Sequence, residues 1–422
     1  MAATSIIEDL ATKARLAARV LANSSNAQRN QILENISLEL EKNSKLIIEA
    51  NQLDMEAAKK SGMNQSLQDR LLLTEGRIKS MANAAKNITK LPDPLNRVLV
   101  ERTLENGLHL LQKSVPFGVV GMVYEARPNV TVDAAVILIK SGNAALLRGS
   151  SSAEHSNKIL IEVMRKGFTG TSISPEVIQL VPSDDRGTVT ALLKASGFVD
   201  LVIPRGSAQL IRTVVDEATV PTIETGAGVC HVYVDKSADF DKAIAILINS
   251  KCDRPSVCNA AETLLVDKQI SDQFLPLALK ALTDASVIIN TDSESKLVAD
   301  KIGIQAKLAS KDSWSTEYGT LEINVAQVDG VMGAIDHIAK FGTKHTEAIV
   351  TQDDLAISTF TSLNDCAAVM INTSTRFTDG EQMGFGAEIG ISNQKMHARG
   401  PMGLEQMTTT TWIVSGNGQI RN

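Results

Sequence analysis

The stretch Lys251–Val266, KCDRPSVCNAAETLLV, carries a cysteine in a setting that suits chemistry. Cys258 follows an Arg-Pro-Ser segment beginning at Arg254, which breaks helix and favours a loop, and it precedes the β-prone apolar run Thr263–Val266. We therefore predict that the thiol lies on a loop just before a strand. Lys251 and Arg254 would favour the thiolate if they face the sulfur, because nearby positive charge lowers the pKa of a cysteine. Cys258 is thus a candidate nucleophile, and a buried structural cysteine is the alternative.

The other cysteines are Cys230, Cys252 and Cys366, and no two of the four form a CxxC pair. Cys252 and Cys258 lack the spacing of a zinc site and a matching pair of histidines. We expect reduced thiols, as in a cytosolic protein, and no metal site.

The elements that must position Cys258 begin with a helical region that extends to about Leu91, where apolar residues recur at helical spacing and prolines are absent. The pair Asn106-Gly107 between β-prone runs then predicts a hairpin over Thr103–Leu111. A hairpin that projects from the body would expose strands able to pair with another chain. The final run Leu404–Val414 is the strand that we expect to pair with this hairpin.

Residues 115–234 alternate between strand-like and helix-like runs, which predicts a parallel sheet covered by helices. The predicted strands are Gly118–Tyr124, Ala144–Leu147, Val177–Val181, Val199–Ile203 and Thr219–Ile223. The predicted helices are Val132–Lys140, Ala153–Lys166, Gly187–Ala195 and Ala208–Glu217. Small residues, hydroxyls and arginines follow several of these strands, as in the Arg148-Gly149-Ser150 and Arg205-Gly206-Ser207 segments, and they suit phosphate binding at helix starts. Neither G-x-G-x-x-G nor a Walker A motif occurs, so any dinucleotide site lacks the common fingerprint.

The glycine-rich segment Glu224–Gly228 reads as a junction between domains, where glycine lets backbone approach a ligand closely. After a predicted helix, Phe240–Ser250, and the cysteine loop, a second alternating region covers roughly residues 262–371. This region should form a second domain.

Composition and charge exclude several classes of protein. A chain of 422 residues with 43% apolar and 21% charged residues is expected to form two or three globular domains. A net charge of −6, scattered basic residues and only 3% aromatic residues argue against nucleic-acid binding. The first twenty residues form an amphipathic helix rather than a signal peptide, and no run reaches transmembrane length. We expect a cytoplasmic protein.

Seven segments together resemble the aldehyde dehydrogenase superfamily, and within it the branch that reduces γ-glutamyl phosphate. They are VPFGVVGMVYEARPNVTVDAA, KSGNAALLRGS, IPRGS, IETGAGVCHVYVD, RPSVCNAAETLLV, KHTEAIVT and GFGAEIGISNQKMHARGPMGLEQMTT. They occur in that branch's order and span the chain.

The resemblance implies thioester chemistry at Cys258. Its thiolate would attack γ-glutamyl phosphate (L-glutamyl 5-phosphate), expel phosphate, and leave an acyl-enzyme that NADPH reduces to glutamate 5-semialdehyde, a step of proline synthesis. Asn129 matches the asparagine that holds the oxyanion with the backbone N–H of the nucleophile. Without the resemblance, Asn129 reads as a cap for the helix from Val132.

For the cofactor, the resemblance implies that Arg148 and Ser151 lie near the adenosine ribose and favour NADPH over NADH, since an arginine attracts the 2′-phosphate. Gly206 and Ser207 match the pyrophosphate segment. Glu317 matches the glutamate that holds the nicotinamide ribose. Each would otherwise be an ordinary loop or surface residue.

For the substrate, Arg127 is a candidate to pair with the phosphate or the carboxylate, and His345 and Glu347 are candidates to contact the amino acid. Glu224 falls where hydrolytic relatives have a general base, a role that phosphate release makes unnecessary, so we interpret it as a structural or hydride-site residue. His397 and Arg399 precede the last strand, where a hinge or interface role competes with a catalytic one.

The predicted fold is α/β, with a Rossmann-type cofactor domain, an α/β catalytic domain and a small hairpin module for oligomerisation. The cofactor domain would comprise residues 1–101, 115–226 and 372–400, the catalytic domain 227–371, and the oligomerisation module 102–114 and 401–422. The expected partners are the small-molecule substrate and further copies of the chain, with neither nucleic acid nor membrane, and a glutamate kinase is a candidate partner. Two rival functions stay open: a hydrolytic, oxidising aldehyde dehydrogenase, and a non-catalytic binding protein on the same fold.

Overall fold

The structure, a computed structural model, describes residues 2–421 and divides into two compact units. The first unit comprises Met1–Thr225, Gly384–Gly390 and Met402–Asn422, and the second comprises Gly226–Met383 and Ile391–Pro401. Met1 and Asn422 lie outside the described residues. The chain therefore passes from one unit to the other inside the glycine-rich segment.

The first unit begins with five helices, as the proline-free sequence predicts. They are α1 (Ala2–Ala22), α2 (Asn26–Lys42), α3 (Ser44–Lys60), α4 (Gln65–Leu71) and α5 (Glu75–Ile88). The second helix starts with a capping box, in which the hydroxyl of Ser25 accepts from the N–H of Gln28 and the Gln28 side chain accepts from the N–H of Ser25. This arrangement satisfies two N–H groups that have no acceptor within the helix.

A four-stranded parallel sheet forms the core of the first unit, with order β5-β4-β3-β6. The strands after the helical region are β1 (Val98–Thr103), β2 (His109–Pro116), β3 (Val119–Tyr124), β4 (Ala144–Arg148), β5 (Ile178–Leu180) and β6 (Leu201–Arg205). The helices between them are α6 (Pro128–Lys140), α7 (Glu154–Lys166), α8 (Gly187–Leu193) and α9 (Ala208–Glu217). The predicted alternation is confirmed for these elements.

The predicted strand Thr219–Ile223 is wrong as a full strand. This segment contacts β6 through one isolated bridge, between Val202 and Thr222. Pro221 in its centre has no N–H to donate, so the ladder does not extend.

The second unit is built on a fully parallel sheet of seven strands, with order β10-β9-β11-β8-β7-β12-β13. Its strands are β7 (Cys230–Val234), β8 (Ala261–Asp267), β9 (Ile288–Thr291), β10 (Lys307–Leu308), β11 (Glu322–Val328), β12 (Thr346–Val350) and β13 (Ala368–Ile371), and a separate pair is β14 (Ile391–Ser392) with β15 (Gly400–Pro401). Its helices are α10 (Phe240–Cys252), α11 (Ser271–Asp284), α12 (Ser293–Lys301), α13 (Gly330–Phe341) and α14 (Asp354–Leu363). Buried apolar side chains pack on both faces of the sheet, as expected for parallel strands covered by helices.

The strand register places the first residues of four strands in one row. Cys230 is opposite Ala261, Glu347 is opposite His231, and Thr346 is opposite Ala368. Because the strands are parallel, the N-terminal ends of β8, β7, β12 and β13 lie side by side at one edge of the sheet. We call this row the N-terminal edge.

The last strand, β16 (Thr408–Ser415), pairs antiparallel with β2, and β2 pairs antiparallel with β1. The turn between β1 and β2 contains Gly107 at φ +81°, a conformation that favours glycine. The predicted hairpin and its pairing with the final strand are both confirmed.

Within residues 2–421, no helix is long and apolar enough to cross a membrane. The same described part of the chain contains no group of three or more His, Cys, Asp or Glu side chains placed to hold a metal ion.

Candidate active site

Cys258 lies on the loop between the end of α10 and the start of β8, half-buried. The prediction of a loop just before a strand is confirmed. Because the loop leads into β8, the thiol belongs to the N-terminal edge of the second unit. Parallel sheets commonly bind ligands beyond the carboxyl ends of their strands, so this nucleophile lies at the opposite edge.

The backbone of Cys258 is held from two sides. A Cβ atom added at Gly228 would lie 1.5 Å from the Cys258 carbonyl oxygen, so only glycine fits at position 228. The buried thiol of Cys230 donates to the same oxygen at 3.2 Å. Burial raises the pKa of Cys230 well above its ordinary value, which keeps this second sulfur protonated as a donor.

The residue after the nucleophile is also fixed. The Asn259 amide donates to the carbonyl oxygen of Thr378 at 2.8 Å, and Arg376 donates to the amide oxygen of Asn259. Arg376 also pairs with Asp253, at the start of the loop, at 3.1 Å. One arginine therefore joins both ends of the nucleophile loop.

Lys251 does not have the role considered from the sequence. Its ammonium is fully buried and donates to Glu262 at 2.7 Å, so its charge is compensated by a carboxylate. Burial raises the pKa of Glu262 to about 7, although the attraction of Lys251 acts in the opposite direction. The pair joins the end of α10 to β8, the two elements that the nucleophile loop connects.

Glu317 belongs to the same neighbourhood through Gly228. Its carboxylate accepts the backbone N–H of Gly228, which lowers its pKa, while desolvation has the larger effect and raises it. Gly228 thus contacts both Cys258 and Glu317. The predicted nicotinamide-ribose residue and the predicted nucleophile therefore share one neighbour.

His345 and Glu347 are fully buried. His345 Nδ1 lies 2.8 Å from the hydroxyl of Thr346, and Glu347 pairs with His231 at 2.8 Å. Desolvation lowers the pKa of His345 to about 4 and raises that of Glu347. Because both side chains are fully buried, these contacts do not support direct binding of a substrate that arrives from solvent. The substrate role of the two residues stays a prediction.

In the first unit, Gly206 and Ser207 lie between the end of β6 and the start of α9. Ser207 caps the helix by accepting from the N–H of Leu210, and its hydroxyl donates to Glu125 at 2.6 Å. A Cβ atom at Gly206 would lie 2.7 Å from the Glu125 carboxyl carbon. A helix start with small residues fits a pyrophosphate. The pyrophosphate would compete with the Glu125 carboxylate for the hydroxyl of Ser207.

Arg148 ends β4 and is nearly buried. Its guanidinium donates to the carbonyl oxygen of Gly149 at 2.8 Å and to those of Ser183 and Asp185 at 3.4 Å each. Its Nε has no acceptor within residues 2–421, so one donor is unused. Exposed Ser151 follows, in the short turn before α7. The place of these two residues near the adenosine ribose stays a prediction.

Asn129 lies in the first turn of α6, exposed, and its amide donates to Asp133 at 3.0 Å. Asn129 is not the N-cap of α6. The N-cap residue is Arg127, and its side chain makes no capping hydrogen bond. The alternative interpretation of Asn129 as a cap is therefore wrong. Burial raises the pKa of Asp133 to about 6, and the hydrogen bond from Asn129 opposes this shift.

Sequence reasoning missed one contact in each unit, that of Asn129 with Asp133 in the first and that of Gly228 with Cys258 in the second. The N-x-x-x-D spacing of Asn129 and Asp133 is a helical i, i+4 pair and could have indicated their contact. The glycine-rich segment predicted a close approach of backbone to a ligand. In the structure, Gly228 lies instead against the backbone of Cys258. Glu224 is half-buried in the first unit, where its role stays a prediction.

Comparison with known proteins gives close relatives along the whole chain. A model of the aldehyde dehydrogenase family matches residues 1–301. The chain is 49% identical over 411 residues to the gamma-glutamyl phosphate reductase of Caldicellulosiruptor bescii, covering 97% of this chain and 98% of that protein. It is 48% identical over 415 residues to the gamma-glutamyl phosphate reductase of Thermobifida fusca, covering 98% of each.

The crystal structure of gamma-glutamyl phosphate reductase from Thermotoga maritima is similar with a TM-score of 0.96 and 41% identity, covering 99% of this chain and 100% of that one. The fold, the family model and the relatives agree. The chain belongs to the aldehyde dehydrogenase family.

Proposed function

We propose that the protein is an oxidoreductase that reduces L-glutamyl 5-phosphate to L-glutamate 5-semialdehyde with release of phosphate. The observation that carries this assignment is the identity of 48% to 49% over nearly the full length of relatives named gamma-glutamyl phosphate reductase. The half-buried cysteine at the N-terminal edge supplies the nucleophile that the reaction needs. The step serves the synthesis of proline from glutamate.

Cys258 performs the covalent step. Its thiolate attacks the acyl carbon, the carbon–oxygen bond to phosphate breaks, and a thioester forms on Sγ. Gly228 and the thiol of Cys230 hold the backbone of Cys258 in place during this attack. When bound, the nicotinamide cofactor supplies the hydride that reduces the thioester, and no water needs activation. This is consistent with a structural role for Glu224.

Asn129 is our proposed donor to the oxyanion. Its amide already donates to Asp133 at 3.0 Å, which fixes its orientation on α6 and leaves its second N–H for the substrate. A fixed donor stabilises developing charge without reorganising during the reaction.

The cofactor is a nicotinamide dinucleotide, as in the family, and we propose NADPH. Gly206 and Ser207 would accept the pyrophosphate, Arg148 and Ser151 would lie near the 2′-phosphate, and Glu317 would hold the nicotinamide ribose. The unused Nε donor of Arg148 supports an anionic partner, whereas its carbonyl contacts support a structural role as well. A preference for NADP⁺ over NAD⁺ in turnover is the expected consequence.

Arg127 remains our candidate for the phosphate or carboxylate of the substrate, because it opens α6 two residues before Asn129. We also propose that the enzyme works in the cytoplasm as a homo-oligomer. A glutamate kinase that delivers the labile acyl phosphate is a further proposal, based on the chemistry of the substrate.

The decisive experiment runs the reaction in reverse, as semialdehyde oxidation with NADP⁺ or NAD⁺ in the presence and absence of phosphate. We expect an absolute requirement for phosphate, because phosphate must release the acyl group from sulfur. Cys258→Ser should fold normally and lose nearly all turnover, while Cys252→Ser, on a half-buried cysteine nearby, should stay active.

Phosphate-independent oxidation would indicate a hydrolytic aldehyde dehydrogenase instead. Near-normal turnover by Cys258→Ser would refute the nucleophile. Normal folding with no turnover under any condition would favour the non-catalytic alternative.

A further inference from the structure

Three cations converge on one carboxylate in the second unit. Asp365 lies 2.8 Å from Arg399, 3.0 Å from Lys395 and 3.2 Å from Lys344. Lys344 comes just before β12, Asp365 just before β13, and the other two lie between β14 and β15. We call these four residues the Asp365 cluster. Segments far apart in the chain thus bring positive charge to one place.

The Asp365 cluster has an uncompensated charge. The three cations lower the pKa of Asp365, chiefly through the hydrogen bonds from Lys395, Arg399 and Lys344, so the carboxylate is ionised at neutral pH. Three positive charges and one negative charge then leave an excess of two. Arg399 also has a buried Nε with no acceptor in the described part of the chain, which leaves one donor unused. The excess of two positive charges and the unused N–H donor together suit an oxyanion that carries two negative charges.

The Asp365 cluster lies on the N-terminal edge, as Cys258 does. Cys258 precedes β8, and Lys344 precedes β12, which is two strands away in the order β8-β7-β12-β13. At about 4.8 Å between neighbouring strands, the lateral separation of the backbone is roughly 10 Å from Cys258 to Lys344 and roughly 14 Å to Asp365, which precedes β13. Thr343, next to Lys344, accepts from the N–H of Val229 at 2.9 Å, and the adjacent Gly228 touches the Cys258 loop. The cluster therefore lies at the same edge of the sheet as the nucleophile.

The ion pairs of the cluster are open to water. The side chain of Lys344 is 58% exposed and that of Lys395 is 66% exposed, whereas the buried pair Lys251 and Glu262 has no exposed surface. Exposed ion pairs contribute little to stability. Binding of an anion explains the convergence of three cations better than a structural role does.

We propose that the Asp365 cluster binds the phosphate that is released from, or in reverse attacks, the acyl group on Cys258. This inference rests on the proposed function and assigns a binding site to its leaving group. The α-carboxylate of the amino-acid substrate is also an oxyanion, but its one negative charge is offset by the neighbouring ammonium. Phosphate, with a charge near −2 at neutral pH, matches the excess charge better.

The test uses the reverse reaction, in which phosphate and semialdehyde are separate reactants. Lys395→Gln and Lys344→Gln should each raise the KM for phosphate about tenfold, the loss expected for one charged hydrogen bond, with the KM for semialdehyde within about twofold. Asp365→Asn should lower the KM for phosphate, because it removes the competing negative charge. A purely structural cluster would not give these opposite directions.

Lys268→Gln is the matched control. Lys268 is 40% exposed and also pairs with two carboxylates, those of Glu294 and Asp329, but it follows the C-terminal end of β8 at the other edge of the sheet. Its replacement should leave both KM values unchanged. As a measurement without turnover, inorganic phosphate should raise the Tm of the wild type, against chloride at equal ionic strength, and should raise that of Lys395→Gln much less.

An unchanged KM for phosphate in both lysine variants would overturn the inference. A rise confined to the KM for semialdehyde would overturn it as well, because the anion would then be the amino-acid carboxylate. Failure of the proposed function has a different signature: wild-type oxidation would proceed without phosphate, whatever phosphate does to the Tm of the lysine variants.

Discussion

At the scale of single residues, Gly228 has the least room for a side chain among the glycines of the second unit. The Cβ atom of an alanine would lie 1.5 Å from the carbonyl oxygen of Cys258, where backbone must move to relieve the clash. We predict that Gly228→Ala lowers the free energy of unfolding by about 3 kcal/mol, the upper range for overpacking. It should also change the alkylation rate of Cys258 by iodoacetamide. Urea unfolding and timed alkylation measure the two effects.

Gly333→Ala is the control for this substitution. Gly333 lies within α13 of the same unit, where the nearest atom to an added Cβ is at an ordinary 3.4 Å. Alanine there should be neutral or slightly stabilising, because it favours helix over glycine. Equal stability of Gly228→Ala and wild type would contradict the contact between position 228 and the nucleophile loop.

At the scale of elements, the buried pair Lys251 and Glu262 connects α10 to β8. The folded-state pKa of Glu262 is raised to about 7 from 4.5. A raised pKa means that stability is fully present below about pH 4.5 and is lost as pH rises through about 7. Lys251→Met removes the attraction that holds this pKa down, so the loss should become larger and extend to higher pH. We predict a deficit of about 3 to 5 kcal/mol at pH 9 and a much smaller one at pH 5.

Unfolding in urea at a series of pH values measures this deficit. The double variant Lys251→Met with Glu262→Gln should lose most of the pH dependence, because no buried carboxylate remains. Lys296→Met, which breaks the partly exposed pair with Asp300, should change stability little at any pH. A deficit of the same size at pH 5 and pH 9 would show that lost packing, and not charge, is the cause.

At the scale of the whole molecule, the three-stranded sheet exposes apolar side chains on β16. Trp412 is 48% exposed and Val414 is 56% exposed, and their spacing of two puts them on one face. Such a surface is typical of contact with another chain. We predict that Trp412→Glu with Val414→Glu dissociates the proposed homo-oligomer into subunits while each subunit stays folded. Analytical ultracentrifugation and circular dichroism measure the two outcomes.

Leu355→Glu with Leu363→Glu is the matched control, because these residues of α14 are 74% and 53% exposed but lie away from this sheet in the chain. This double variant should keep the wild-type mass. If the β16 variant also keeps it, the hairpin module does not mediate assembly.

Local sequence was sufficient for much of the fold. The alternation of residues 115–234 predicted β3, β4, β5 and β6 with their helices, because hydrophobic periodicity depends on neighbours in the chain. The Asn106-Gly107 turn predicted the hairpin for the same reason. The prediction of a strand over Thr219–Ile223 is wrong, because one proline outweighs the β-prone residues around it.

The sequence by itself determined that Cys258 lies on a loop before a strand, since the residues on each side of it decide loop and strand locally. Only the tertiary structure decided what surrounds that loop. The order of the strands brings Gly228, Cys230 and the Asp365 cluster to one edge, and it buries Lys251 against Glu262. Contacts between segments far apart in the chain depend on strand order and register, and neither leaves a signal in local composition.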